Sequence, residues 1–308
     1  FGKRRAYQRK AAVADFKGIC SAHAFVLRAI PEVIEPRLFP FFLHSDEFMH
    51  RAVDISVGGL SPTINWGDLK HQEFLLPPKD QQAELSELLW SMDEVIEKGK
   101  GVLERLDNYY HSSINNMDIK ENFKPVKLSE LSNINRESLG SKTLENYTFK
   151  YLDIASIVEP KSLGDLKVID FKNAPSRARR VTFDNSIIIS MVRPYQKSFI
   201  YLEDSSGIIA STGVSVIETK KPFHSKYIFH QFFSDRFIKY CEDRMTGTNY
   251  PAITPTDLKN FKILIPEEIS QQKDIAERFE SIDQSIVKIK NNITKSLILQ
   301  KLLINQIF

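Results

Sequence analysis

The sequence is poor in the residues and motifs that most enzymes carry. It has only two cysteines, Cys20 and Cys241. A zinc site would need more ligands, and the two sit at non-equivalent places in the repeat described below, so buried free thiols in a reducing cytoplasm are expected. There is no Gly-rich nucleotide-binding turn after a strand, no Walker loop and no zinc-protease helix motif. No apolar run approaches the roughly 20 residues of a membrane span, and no signal-peptide pattern opens the chain. A large excess of one charge is missing too. The 42 Lys and Arg against 39 Asp and Glu leave a formal net charge of +3, so any polyanion must be met by local basic patches.

What the chain does have is periodicity. Within Gln81–Met117, Leu85, Leu89, Met92, Ile96, Leu103, Leu106 and Tyr110 recur at intervals of four and three, with Gly99 in the one weak slot. Such spacing gives a narrow apolar seam that pairs two helices. Gln271–Phe308 supplies the partner, with Ile275, Phe279, Ile282, Ile286, Ile289, Ile293, Leu303 and Ile307. Beside the seams, Leu88, Trp90, Val95, Val102, Tyr109, Phe232 and Phe233 are expected to leave apolar surface for other chains.

The two helices belong to an internal repeat. Gln81-Gln82 matches Gln271-Gln272 and Asp93 matches Asp283; upstream, Ser45-Asp46 matches Ser234-Asp235, Pro62 and Ile64 match Pro251 and Ile253, and Asp68-Leu69-Lys70 matches Asp257-Leu258-Lys259. Roughly fourteen identities fall in about sixty ungapped positions, where chance gives three or four, so duplication is the reading. The first copy lacks a counterpart to about residues 124–191, so Phe1 is not expected to be a natural start.

Taken in order, residues 1–78 read as the back half of a globular domain. Strand or edge segments are expected at Ala24–Leu27 and Glu73–Leu76, and an amphipathic helix over Arg37–His50 interrupted near Pro40. A polar linker is expected over Asn115–Lys124. Residues 125–266 form the complete second domain. Its strand candidates are Phe149–Ile154, Lys167–Phe171, Ser186–Met191, Ser198–Tyr201, Ile208–Ala210, Val214–Ile217 and Lys262–Ile265, with one helix over Lys226–Met245. Mixed strands and helices in this order predict an α+β class.

No catalytic constellation stands out. Leu76-Pro77-Pro78-Lys79 lacks the Asp or Asn before and the aromatic after the Pro-Pro core of adenine methyltransferases. His44 and His50 have no ligand partners nearby. Basic and aromatic residues are more informative because they repeat: Arg5, Tyr7, Gln8, Arg9 and Lys10 correspond to Arg193, Tyr195, Gln196, Lys197 and Ser198. This set combines guanidinium donors, an amide suited to adenine and an aromatic platform, and it is as compatible with a solvated hairpin whose tyrosine packs on the core. A second basic cluster, Arg177, Arg179 and Arg180, reads as a Pro-flanked loop. A third candidate, Thr248, Asn249 and Tyr250 with counterpart Val57–Ser61, lies in Gly-rich loops where backbone amides approach phosphate or simply form a turn.

These residues resemble the specificity (S) subunit of type I restriction-modification systems. The resemblance covers essentially the whole chain. Its most specific marks are Leu75-Leu76-Pro77-Pro78-Lys79-Asp80-Gln81-Gln82 with the long helix and Asp93, and the second copy Leu264-Ile265-Pro266 to Gln271-Gln272 and Asp283. Arg193–Lys197 and Ala210–Gly213 are similar to turns of the family's recognition domains. The second copy departs by carrying Pro266-Glu267 in place of Pro-Pro.

The resemblance implies two internally repeated target-recognition domains joined by a pair of long antiparallel coiled-coil helices. Residues 1–78 would be the C-terminal part of recognition domain 1, 79–124 spacer helix 1 and linker, 125–266 recognition domain 2, and 267–308 spacer helix 2. Each domain would read half of a bipartite site in double-stranded DNA. The helices would set the gap and dock two methyltransferase (modification) subunits, which supply S-adenosylmethionine; this chain would hold no cofactor and be non-catalytic, in a prokaryotic cytoplasm. Room is left for a restriction (translocase) subunit. The rival reading is a coiled-coil scaffold presenting two duplicated protein-binding domains without DNA specificity.

Overall fold

A computed structural model describes residues 1–119 and 122–308. Residues 120 and 121, within the expected linker, lie outside the described residues. The chain divides into two compact units, residues 1–105 with 286–308, and residues 106–285.

Unit 1 is helical, with α1 (Phe39–Phe42), α2 (Asp46–Asp54) and α3 (Trp66–Leu69) followed by the first part of α4 (Gln82–Asn115). Pro40 does not interrupt a helix; it sits in the first turn of α1, where a missing N–H costs nothing. The break falls at Leu43–Ser45 instead, because the Ser45 hydroxyl accepts from Phe48 N at 3.2 Å and starts α2 afresh. The core gathers Leu38, Phe42, Phe48, Met49, Ile64 and Leu69 around Leu89. The expected strands are absent among the described residues of this unit. Ala24 makes one isolated bridge to Gly2, and Phe74 packs edge-on against Phe42. A lone extended segment has no ladder to join.

Unit 2 opens with the end of α4 and a 3-10 turn (Asn116–Ile119), so the described part of the expected linker is structured; β1 (Phe123–Lys127), α5 (Leu128–Leu131) and β2 (Ser132–Ile134) follow, all outside the expected elements. β3 (Thr148–Leu152), β4 (Ile157–Glu159), β5 (Ser162–Leu163), β6 (Lys167–Asp170) and β7 (Ala178–Val181) follow, then β8 (Ser186–Ser190), β9 (Phe199–Leu202), β10 (Ile208–Ser211) and β11 (Val214–Thr219). Helices α6 (Ser225–Gln231), α7 (Asp235–Glu242) and α8 (Pro255–Asn260) lead to β12 (Lys262–Pro266) and α9 (Ser270–Ile307). Two four-stranded sheets form, ordered β6-β3-β10-β7 and β2-β11-β8-β9, beside the β1-β12 and β4-β5 pairs. The class is mixed α and β, as the sequence predicts.

Every residue of β8 is buried, because both of its faces are covered. Ile187 and Ile189 join the cluster under the helices, while Ile188 joins Leu152, Ile200 and Val216 between the sheets. The helix expected over Lys226–Met245 is two helices. Ser234 caps α7 by accepting from Phe237 N at 3.3 Å, and the break turns Phe232 and Phe233 inward, 0% and 3% exposed. The expectation that they face solvent is therefore wrong. Trp90 is likewise engaged, its indole N–H donating to Arg37 O at 2.8 Å. Leu88, Val95, Val102 and Tyr109 are exposed, as expected. Cys241 is buried, which pushes its thiol up to about 12, but Cys20 is exposed, so only one thiol is hidden.

The long helices have 34 and 38 residues, and each contributes to both units. In unit 1, Leu89 and Ile96 are buried and Gln300 Nε2 donates to Leu89 O at 3.3 Å. In unit 2, the Tyr110 and Phe279 rings meet edge-on at 5.0 Å.

Candidate nucleic-acid interface

The two sets of repeated basic and aromatic residues adopt one geometry. Ala6–Gln8 and Pro194–Gln196 are single 3-10 turns, and each is flanked by left-handed residues: Arg5 (φ 57°) and Arg9 (φ 53°), Arg193 (φ 47°) and Lys197 (φ 53°). Four non-glycine residues in that region cost on the order of 1 kcal/mol each, a strain that persists only where the surroundings enforce it. The enforcement is visible in the main chain. Arg5 N donates to Pro62 O at 2.7 Å and Arg193 N to Pro251 O at 2.8 Å. Ala6 and Pro194 point inward and are buried; Tyr7 and Tyr195 are 54% and 42% exposed, and Gln8 and Gln196 are exposed with them. Both turns are thus solvated, but neither tyrosine packs on the core, contrary to that part of the hairpin reading.

The Gly-rich loops close against these turns. Val57 and Thr63 exchange backbone hydrogen bonds, as do Thr246 and Ala252. Gly58 (φ 118°) and Gly247 (φ 99°) take the positive dihedral that side chains resist. Arg5 Nε donates to Ser61 Oγ at 3.2 Å; Arg193 NH2 donates to Asn249 O at 2.8 Å and its guanidinium lies 5.1 Å from the Tyr250 ring. Arg193, Tyr195, Gln196, Asn249 and Tyr250 are thus brought together, with Thr248 exposed beside them.

The remaining basic residues fall differently. Arg9 is half-buried and forms an ion pair with Asp46, which holds that carboxyl below its ordinary range. Lys197 donates to Phe233 O at 3.3 Å, and burial lowers its pKa. Lys10 is exposed. Arg177 stays in an exposed turn, as the loop reading has it, whereas Arg179 and Arg180 lie on edge strand β7, paired with β10. The Arg179 guanidinium sits 4.8 Å from the Phe171 ring, and Arg180 Nε is buried without a hydrogen-bond partner. Of the three only Arg177 is exposed, and its carbonyl accepts from Thr212 N at 2.8 Å.

Two arrangements escaped the sequence reading. Asn305 and Asn115, themselves 190 positions apart, each clamp the first residue of a helix, Asp46 of α2 and Asp235 of α7. The matching of Ser45-Asp46 with Ser234-Asp235 was the available signal. In unit 2, Lys161 Nζ lies 2.6 and 2.8 Å from the two carboxylate oxygens of Asp283 and 3.8 Å from the centroid of the Tyr110 ring. Burial raises the Asp283 carboxyl and lowers the Lys161 ammonium. The Tyr110 hydroxyl is 2.9 Å from His230 Nδ1, and burial holds His230 well below the ordinary imidazole value.

Comparison with known proteins decides the family. The model of the type I restriction modification DNA specificity domain matches residues 120–298. The chain belongs to that family. The specificity-domain match takes in the second turn and its loop and leaves the first turn outside. The MjaIX type I restriction enzyme specificity subunit of Methanocaldococcus jannaschii is 24% identical over 276 residues, 81% of this chain and 62% of the relative. The chain therefore spans less than two thirds of that specificity subunit. By fold it is similar to the crystal structure of a type I S subunit from M. genitalium, with TM-score 0.59 and 15% identity, over 91% of this chain and 74% of that one. The HsdS subunit of Thermoanaerobacter tengcongensis gives TM-score 0.52 and 17% identity, over 94% and 74%. Among the described residues, no helix is long and apolar enough to cross a membrane.

Proposed function

We propose that this chain is the sequence-specific DNA-binding subunit of a type I restriction-modification complex. The observation that carries this reading is the pair of strained turns, each holding a Tyr-Gln in solvent beside a closed Gly loop and fixed cations. Gln8 and Gln196 have the bidentate amide that suits adenine, Arg5 and Arg193 suit phosphate or guanine, and Tyr7 and Tyr195 offer stacking faces. Each turn serves one half of a bipartite duplex site. Arg177, Arg179 and Lys10 add backbone contacts, and Thr248 and Asn249 bring loop amides to phosphate. Arg180 contributes by supporting β7.

The long helices act as an antiparallel spacer between residues 1–78 and 125–266, a reading supported by the Leu89–Gln300 and Tyr110–Phe279 contacts. Leu88, Val95 and Val102, each seven residues from the next, form an exposed stripe on α4. That spacing suits an apolar helix of a methyltransferase subunit. Two such subunits supply S-adenosylmethionine and the methyl transfer, so this chain performs no chemistry itself, and a restriction subunit completes the assembly.

The deciding experiment is duplex binding at several salt concentrations, with methylome sequencing of cells carrying or lacking the gene. A bipartite methylated motif that depends on the gene is the expected result, with binding that falls steeply as salt rises. Unchanged methylation together with salt-independent binding would return the chain to the scaffold reading.

A further inference from the structure

The clamps made by Asn305 and Asn115 use every polar atom of both amides in the same way. Asn305 Oδ1 accepts from Asp46 N at 2.8 Å, and Asn305 Nδ2 donates to Asp46 Oδ2 at 2.7 Å. Asn115 Oδ1 accepts from Asp235 N at 2.8 Å, and Asn115 Nδ2 donates to Asp235 Oδ2 at 2.7 Å. A helix start leaves its first N–H groups without intrahelical partners, and a local side chain usually satisfies them. Here Ser45 and Ser234 already cap locally, through Phe48 N and Phe237 N. The second donor is met from a residue 259 or 120 positions away, on a long helix.

Each clamp also faces a turn. The other carboxylate oxygen of Asp46 takes the Arg9 guanidinium, which ends the first turn, and Lys301 Nζ stands 3.9 Å away. In unit 2 Lys197, which ends the second turn, donates to Phe233 O at 3.3 Å, beside the Ser234 cap of α7. Long helix, clamp, helix start and turn are therefore joined in series within each unit. A short amide bonded at both ends permits less sliding than a long surface ion pair, which holds its partners loosely.

We propose that Asn305 with Asp46, and Asn115 with Asp235, are positioning residues that fix each DNA-facing turn to the end of a spacer helix. The inference rests on the DNA-binding reading and deepens it. Half-site bases are chosen by the exposed turn residues; the clamp sets where that turn is held relative to the spacer, and so sharpens the gap the protein accepts. Losing a clamp should blur the gap and leave the base preference of the half-site intact.

The test uses the full chain, purified with the subunits that accompany it, and a duplex library with randomised half-sites and a randomised gap length. Parental protein should select one gap. Asn115→Ala and Asn305→Ala should keep the half-site bases while discrimination against neighbouring gap lengths falls roughly fivefold to thirtyfold, the factor worth one or two hydrogen bonds. The exchange N115D with D235N keeps both bonds, the backbone N–H still donating to residue 115 and only the side-chain bond reversing donor and acceptor, and should restore the single gap. Unit 2 suits this rescue because Lys197 bonds to a carbonyl and does not need the Asp235 carboxylate. Both alanine variants retaining the parental gap, with only a lower melting temperature, would make the clamps simple caps and overturn the proposal. Failure of the exchange to restore the gap in a folded variant would overturn it as well. A parental chain that selects no sequence overturns the DNA reading itself, and the parental arm alone reveals that outcome.

Discussion

Gly99 lies directly beneath Ile293: a Cβ added to Gly99 would stand 3.0 Å from Ile293 Cγ1 and 3.3 Å from its Cδ1. The glycine that looks like a gap in the seam of α4 is a point where a branched side chain of α9 packs close against the helix. Replacing a helical glycine by alanine ordinarily gains about 0.5–1 kcal/mol. Here that gain should vanish, because Ile293 must move aside. In an Ile293→Ala background, Gly99→Ala should recover the gain. Denaturant unfolding of the four proteins gives the coupling directly. Equal effects of G99A in both backgrounds would show that the two residues do not interact.

Base reading and phosphate contact separate by their sequence dependence. Gln196→Ala and Gln8→Ala should each weaken specific binding by about 1–3 kcal/mol and relax preference at one position of one half-site. Lys10→Ala should lower affinity for all sequences alike and reduce the salt slope by about one. Arg193→Ala should do more than either, because it also releases Asn249 and Tyr250. Fluorescence anisotropy over a set of single-base variants distinguishes these patterns; unchanged preference in both glutamine variants would remove the turns from sequence reading.

The exposed stripe on α4 predicts a separation of stability from assembly. Leu88→Glu with Val95→Glu removes 47% and 61% exposed side chains, so the melting temperature of the chain should hardly change, within about 0.5 kcal/mol per site. Co-purification of the methyltransferase subunit should fall sharply. Normal stoichiometry by native mass spectrometry would place docking elsewhere.

How much of this could be read in the sequence follows from the range of the interactions. The long helices were legible to within a residue or two, because a seam repeated over 34 and 38 residues is a local signal. The buried strands β8, β10 and β11 were legible for the same reason. β2, β4 and β5 have three residues or fewer and little apolar pattern, so only their partners define them. Arg179 and Arg180 looked like a loop because charge normally marks solvent, whereas pairing with β10 and stacking on Phe171 hold them on a strand. At the interface the residue types were visible from the repeat. The left-handed flanks of the turns were not, since arginine and lysine give no hint of positive φ. Nor were the asparagine clamps, which join residues more than a hundred positions apart.

Acid should destabilise the protein through His230. Burial keeps this imidazole neutral in the folded state, with its pKa well below the ordinary 6.5. The unfolded chain therefore binds a proton that the folded chain refuses. Stability from this group is complete above about pH 6.5 and is lost as pH falls below it, by about 1.4 kcal/mol per pH unit. His44, His111 and His224 are lowered too, chiefly by desolvation, so the acid limb does not rest on one residue. His230→Gln keeps a polar group facing the Tyr110 hydroxyl and should flatten the limb between pH 6.5 and 5 by about one proton. An identical slope in the variant would assign acid sensitivity to other groups.

The division of the chain also imposes an order of synthesis. Unit 2 is one unbroken stretch, residues 106–285, whereas unit 1 needs residues 1–105 and 286–308 together. Everything that unit 1 draws from α9, including Ile304 in its core and the Asn305 amide on Asp46, leaves the ribosome after the whole of unit 2. At roughly 5–20 residues per second, the intervening stretch takes about 10–40 s to make. For that interval the aromatic cluster of Phe42, Phe48 and Phe74 waits without its final wall, exposed to chaperones and to neighbouring nascent chains. Unit 2 is free to fold first. The segment of unit 1 made before unit 2 is thus the one whose structure closes after it.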